Sequence, residues 1–148
     1  MKILLLGVGM QGKAALHDLA NSPEVTHVIA ADANFDDLQK IVNHLDNAKI
    51  TPIKLDVQDR TALSIQMKKV DAVIVLLPQG FRLDVLNLAI ENGIHFIETS
   101  YALPEYAHLG QLAEAKGISI LPECGLDPGI DLVLAGQAVR ELDEVHEL

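Results

Sequence analysis

Three glycines near the N-terminus, an aspartate at position 32 and a turn at 124–129 are the places where this sequence can do chemistry. Gly7-x-Gly9-x-x-Gly12 follows directly on Ile3 to Leu6, four consecutive apolar residues. In that spacing the first glycine permits a sharp turn. The second leaves room for a pyrophosphate, and the third lets a following helix pack close to the strand. The free N–H groups at that helix start, near Met10, Gln11 and Gly12, can hold phosphate oxygens. Asp32 lies 20 residues beyond Gly12, where an acid accepts hydrogen bonds from the hydroxyls of an adenosine ribose. A 2′-phosphate would meet its charge instead. One like-charge pair at ~4 Å and an effective dielectric of ~20 costs on the order of 4 kcal/mol. No Arg or Lys lies between Asp32 and Lys40 to offset it, so the pattern predicts NAD in preference to NADP.

Other candidates follow apolar runs further on. Asp56-Val57 suits the edge of an adenine and equally suits ordinary turn chemistry beside the helix cap Asp59. Leu77-Pro78 ends the run VDAVIVLL, close to where a nicotinamide ribose should lie. Thr99-Ser100-Tyr101 offers hydroxyls to a polar substrate or a carboxamide, or a cap for a helix opened by Pro104. Cys124-Gly125-Leu126-Asp127-Pro128-Gly129 sets one carboxylate in an unusual turn. Asp127 can cap the last helix, with Pro128 in its first turn, or face a substrate. Cys124 reads as a small buried residue.

The elements that must position these residues alternate. Helices are expected over Gly12 to Ala20, Asp36 to Leu45, Asp59 to about Lys69, Phe81 to Asn92, Pro104 to Gly117, and from Gly129 to about Leu142. Strands are expected at Ile3–Leu6, Val25–Ala31, Ile50–Val57, Val70–Leu77, His95–Thr99 and Ile118–Leu121. Pro52 cannot donate to a ladder, so the third strand belongs at a sheet edge. The order 3-2-1-4-5-6 puts it there. The expected fold is therefore a doubly wound parallel α/β sheet of six strands, the Rossmann arrangement. Ligands in such sheets bind outside the carboxyl ends of the strands, the edge on which every residue named above falls.

The chain has 148 residues and a formal net charge of −10. One domain with a single core fits that length. The acidic balance argues against a nucleic-acid partner and against anionic membranes, and no apolar run approaches the ~20 residues of a membrane span. Met1 is followed almost at once by the glycine turn, which leaves no room for a signal peptide. A single cysteine excludes an internal disulfide and fits a reducing cytoplasm. The six histidines are scattered without metal-ligand spacing, so no metal site is expected.

With these motifs in hand, the chain resembles the N-terminal domain of the saccharopine dehydrogenase/reductase-like family. The segments that carry the resemblance are MKILLLGVGMQG, VDAVIVLLP, GIHFIETSY and, most specifically, GISILPECGLDPGID. The resemblance implies reversible, nicotinamide-dependent hydride transfer at an amine or imine carbon, on a small amino-acid or polyamine substrate. It implies that Asp127 lies at the substrate, as a catalytic or proton-handling group, and that Ser100 and Tyr101 line the same cleft. It further implies a cofactor domain over 1–142, the start of a separate catalytic and dimerisation domain at 143–148, and a homodimer when full length. Fungal saccharopine reductases use NADP, and Asp32 departs from that choice. The competing reading is a stand-alone regulatory nucleotide sensor, like the ligand-binding domains of potassium-transport regulators. The carboxylate of GLDPGID argues for the enzyme, since a sensor has no use for it.

Overall fold

A computed structural model describes residues 1–147. The expected start of a further domain at 143–148 therefore reaches, at Leu148, outside the described residues. The run Ile3–Leu6 lies in β1 (Lys2–Leu6), and its alternate side chains enter two different cores. Leu4 and Leu6 face one side of the sheet, Ile3 and Leu5 the other. A strand apolar on both faces has to be covered on both faces.

Around β1 lie α1 (Met10–Asn21), β2 (His27–Asp32), α2 (Phe35–Leu45), β3 (Ile50–Lys54), α3 (Arg60–Met67) and β4 (Ala72–Val75). A 3-10 turn at Gln79–Phe81 leads into α4 (Arg82–Asn92), followed by β5 (His95–Glu98), α5 (Tyr106–Ala115), β6 (Ile120–Leu121) and α6 (Ile130–Glu141). The six strands are parallel in the order β3-β2-β1-β4-β5-β6. The expected doubly wound sheet is what forms, with the strand carrying Pro52 at its edge. Leu16 and Ala20 of α1 and Leu38 of α2 fill one core; Leu63 and Met67 of α3, Val85, Leu86, Leu88 and Ile90 of α4 and Leu109 of α5 fill the other. Each fully buried Leu contributes roughly 1.5–3 kcal/mol.

Several strands are shorter than their apolar runs suggest. β4 stops at Val75 because β1, its partner, ends at Leu6 and turns away at Gly7. β3 stops at Lys54, opposite Asp32 at the end of β2. α5 begins at Tyr106, two residues beyond Pro104, after a turn. The helix Asp59 caps is as expected: its carboxylate accepts the Ala62 N–H at 2.9 Å.

Candidate functional site

The glycine loop has the geometry its spacing implies. Gly7 has φ of +87°, and a Cβ there would press on the Leu76 carbonyl. A Cβ on Gly12 would overlap the Gly7 carbonyl oxygen. Gly9 has nothing within 4 Å of where its Cβ would stand, so the loop is open to solvent at the position where a phosphate would approach. No side chain caps the start of α1 and its first turn carries no acid. The N–H groups of Met10, Gln11 and Gly12 are the ones a helix leaves without intrahelical partners. This donor set fits a pyrophosphate.

Asp32 ends β2 and reaches the same loop. Its Oδ2 accepts the Val8 N–H at 2.8 Å and its Oδ1 accepts the Asn34 N–H at 2.8 Å. The carboxylate thus ties the glycine loop to the turn after β2. An ionised carboxylate has about four acceptor sites, so both oxygens can still receive ribose hydroxyls. A hollow of about 610 Å³ opens here, between the glycine loop and α2, lined among others by Gly9, Lys13, Asp32, Asp37 and Lys40. Lys40 bonds Asp37 at 2.8 Å, which holds the Asp37 carboxyl below the usual carboxylate range. Lys13 lies N-terminal to Asp32 in sequence, on α1, and only the fold brings it to this hollow.

A second hollow of about 640 Å³ lies on the other side of Gln11, lined by that residue, Ala15, Leu76, Ile97, Thr99 and Cys124 to Asp127. It is apolar along the sheet and polar at its rim. Tyr101 donates its phenol to Asp127 Oδ1 at 2.8 Å. That bond to a carboxylate pushes the Tyr101 phenol above the ordinary tyrosine range. Cys124, expected to be buried, is exposed at the rim of this hollow; partial desolvation still pushes its thiol up, the opposite of an activated nucleophile.

Backbone bonds fix the turn that carries Asp127. The Cys124 N–H donates to the Glu98 carbonyl at 2.9 Å, and the Glu123 N–H to the Ser100 carbonyl at 3.1 Å. Asp127 does not cap α6. The cap position is Gly129, whose N–H is accepted by Asp131, because the Asp127 carboxylate is turned toward Tyr101. Ser100 and Thr99 cap no helix either; the cap position of α5 is Glu105, and no side chain caps that helix.

Four other expected positions lie away from both hollows. Asp56 accepts the Gln58 N–H at 2.9 Å, the turn chemistry that was one of its two readings. Val57 and Leu77 pack against the core on the α3–α4 side. Strand alternation sends Leu76, one residue before Leu77, into the second hollow instead. Pro78 begins the 3-10 turn. Among the described residues no group of three or more His, Cys, Asp or Glu side chains could hold a metal ion.

Comparison with known proteins bears on this geometry. The family profile described as "Saccharopine dehydrogenase NADP binding domain" matches residues 3–121. A saccharopine dehydrogenase (NADP+, L-glutamate-forming) of Pyricularia oryzae is 35% identical over 144 residues, covering 97% of this chain and 30% of the relative. The alpha-aminoadipic semialdehyde synthase of Arabidopsis thaliana is 35% identical over 124 residues, covering 82% of this chain and 12% of that protein. The apo saccharopine dehydrogenase (L-Glu forming) of Saccharomyces cerevisiae superposes with a TM-score of 0.84 at 30% identity, over 95% of this chain and 31% of the other. The chain thus spans about a third or less of the length of these relatives.

Proposed function

The chain belongs to the saccharopine dehydrogenase NADP-binding domain family, and on that premise we propose that it is the cofactor half of an oxidoreductase acting at an amine or imine carbon. A pyridine nucleotide is the cofactor of this domain; when bound it supplies the hydride donor or acceptor. We assign its adenosine half to the hollow beside Asp32, its pyrophosphate to the loop Gly7 to Gly12, and its nicotinamide half to the hollow that ends at Asp127. The single observation that carries this reading is that the two hollows lie on either side of the uncapped start of α1.

In this proposal the protein's own groups do three things. The first-turn N–H groups of α1 hold phosphate charge. The apolar wall of Leu76 and Ile97 keeps water from the reacting carbon. Asp127, already accepting from Tyr101, holds an amine or takes its proton, while Tyr101 stays protonated through neutral pH and serves as a donor. Ser100 and Tyr101 are assigned to the substrate side. The substrate is proposed to be a small amino acid or polyamine, and the relatives' names support the amino-acid alternative. The rest of the substrate site, a homodimer and a cytoplasmic location are proposed for the longer protein. The oxidoreductase relatives favour this reading over a transport-regulator sensor.

NADH is the proposed partner in preference to NADPH, because Asp32 and Asp37 both face the ribose hollow and Asp37 occupies Lys40. The opposite preference has its own support in Lys13 and Lys40, two cations on the same hollow, and in the family's description as NADP-binding. Amide chemical-shift mapping tests the placement. Adding NADH should perturb the amides of Val8 to Gly12, Asp32 and Gly125 to Asp127 together. Perturbations that miss the glycine loop would refute it.

A further inference from the structure

Two buried charges remain outside the machinery described so far. Arg82, the first residue of α4, and Glu98, the last of β5, are each 1% exposed. Arg82 meets both Glu98 oxygens through Nε and Nη2, a bidentate pair. Tyr106 of α5 donates its phenol to Glu98 Oε1. Burying two charges carries a desolvation penalty that a good pair roughly offsets, and apolar residues of the same volume are often as stable or more so. Stability alone is therefore a weak reason for the pair.

Its connections supply a better one. Arg82 Nη2 also donates to the backbone carbonyl of Tyr101 at 2.8 Å. Glu98 accepts the Cys124 N–H through its own backbone carbonyl at 2.9 Å. One residue at a strand end thus anchors both sides of the Tyr101–Asp127 contact. Its side chain fixes Tyr101 by way of Arg82, and its backbone fixes the turn that carries Asp127. A Lys at position 82 could pair with Glu98 but lacks the planar fork needed to reach two oxygens and a carbonyl at once.

We propose that the buried Arg82–Glu98 pair is a positioning device that holds the Tyr101 phenol on the Asp127 carboxylate. This rests on the reading of Tyr101 and Asp127 as the substrate end of the site, and it adds Arg82 and Glu98 to that site as positioning residues.

The sequence offers a direct readout, since the chain has two tyrosines and no tryptophan. In a Tyr106→Phe background Tyr101 is the sole tyrosine, and its ionisation is followed by tyrosinate absorbance. It should titrate above the ~10 of free tyrosine, and Asp127→Asn should bring it back toward that value. Arg82→Lys should move it in the same direction, with circular dichroism unchanged. The double replacement Arg82→Met/Glu98→Leu removes both charges together, so it should fold and release Tyr101 equally. A folded Arg82→Lys or double variant whose Tyr101 titrates as in the Tyr106→Phe parent overturns the proposal. Failure of both variants to fold also overturns it, because the pair would then be holding the fold itself. The titration needs neither cofactor nor substrate, so its outcome is independent of the nucleotide-binding test above.

Discussion

Gly12 has no room for any side chain, because a Cβ there would overlap the Gly7 carbonyl oxygen. Gly12→Ala is expected to lower stability by about 1–3 kcal/mol, the usual cost of overpacking, and to displace the loop. Chemical denaturation would measure the first effect and NADH affinity the second. Gly9→Ala, with nothing within 4 Å of its Cβ, should instead leave the denaturation midpoint nearly unchanged and weaken the nucleotide. The roles of Gly7, Gly9 and Gly12 were legible in the sequence because backbone geometry at a strand–helix turn depends on local spacing. The bond from Asp32 to Val8 was not, since it joins residues 24 apart across two strands. Arg82 and Glu98 were invisible for a related reason. An arginine in a run of helix residues reads as solvated surface, and only the pairing of β5 beside α4 brings a carboxylate to it.

At the scale of elements, periodicity located the six helices and six strands of the described residues, and missed mainly where they begin and end. A strand's end is set by its neighbour: β4 and β3 end where β1 and β2 end, though their own apolar runs continue. Caps were legible where a side chain has one local partner. Asp59→Ala should cost about 1 kcal/mol, seen as a lower denaturation midpoint. The Asp127 cap failed for the opposite reason, as a distant phenol competes for the carboxylate. α4 shows the same limit of pattern reading, for its most buried side chains include Arg82 beside Val85 and Leu86.

Over the whole molecule, the alternation of strand and helix dictated the doubly wound sheet, and the sheet places Gly7, Asp32, Leu76, Thr99 and Cys124 along one edge. The electrostatics of that edge is less local. Burial, aided by the bond to Glu98, holds the Tyr106 phenol well above the ordinary tyrosine value. Its unfolded counterpart ionises near pH ~10. The stability tied to this group is therefore fully present below about pH 10 and is lost as pH rises beyond it, when the unfolded chain can release a proton that the folded one retains. The melting temperature should fall above about pH 10, and Tyr106→Phe should flatten that fall while lowering stability at neutral pH through the lost bond to Glu98.

The measurement that tests the central claim most directly is a fluorescence titration of the chain with NADH and with NADPH, repeated for Asp32→Ala. NADH is expected to bind at least about tenfold more tightly, the equivalent of roughly 1.4 kcal/mol. Asp32→Ala is expected to weaken NADH and narrow the gap to NADPH. Tighter binding of NADPH to the unaltered chain would contradict the choice of cofactor and assign the 2′-phosphate to Lys13 and Lys40. No binding of either nucleotide would contradict the site itself.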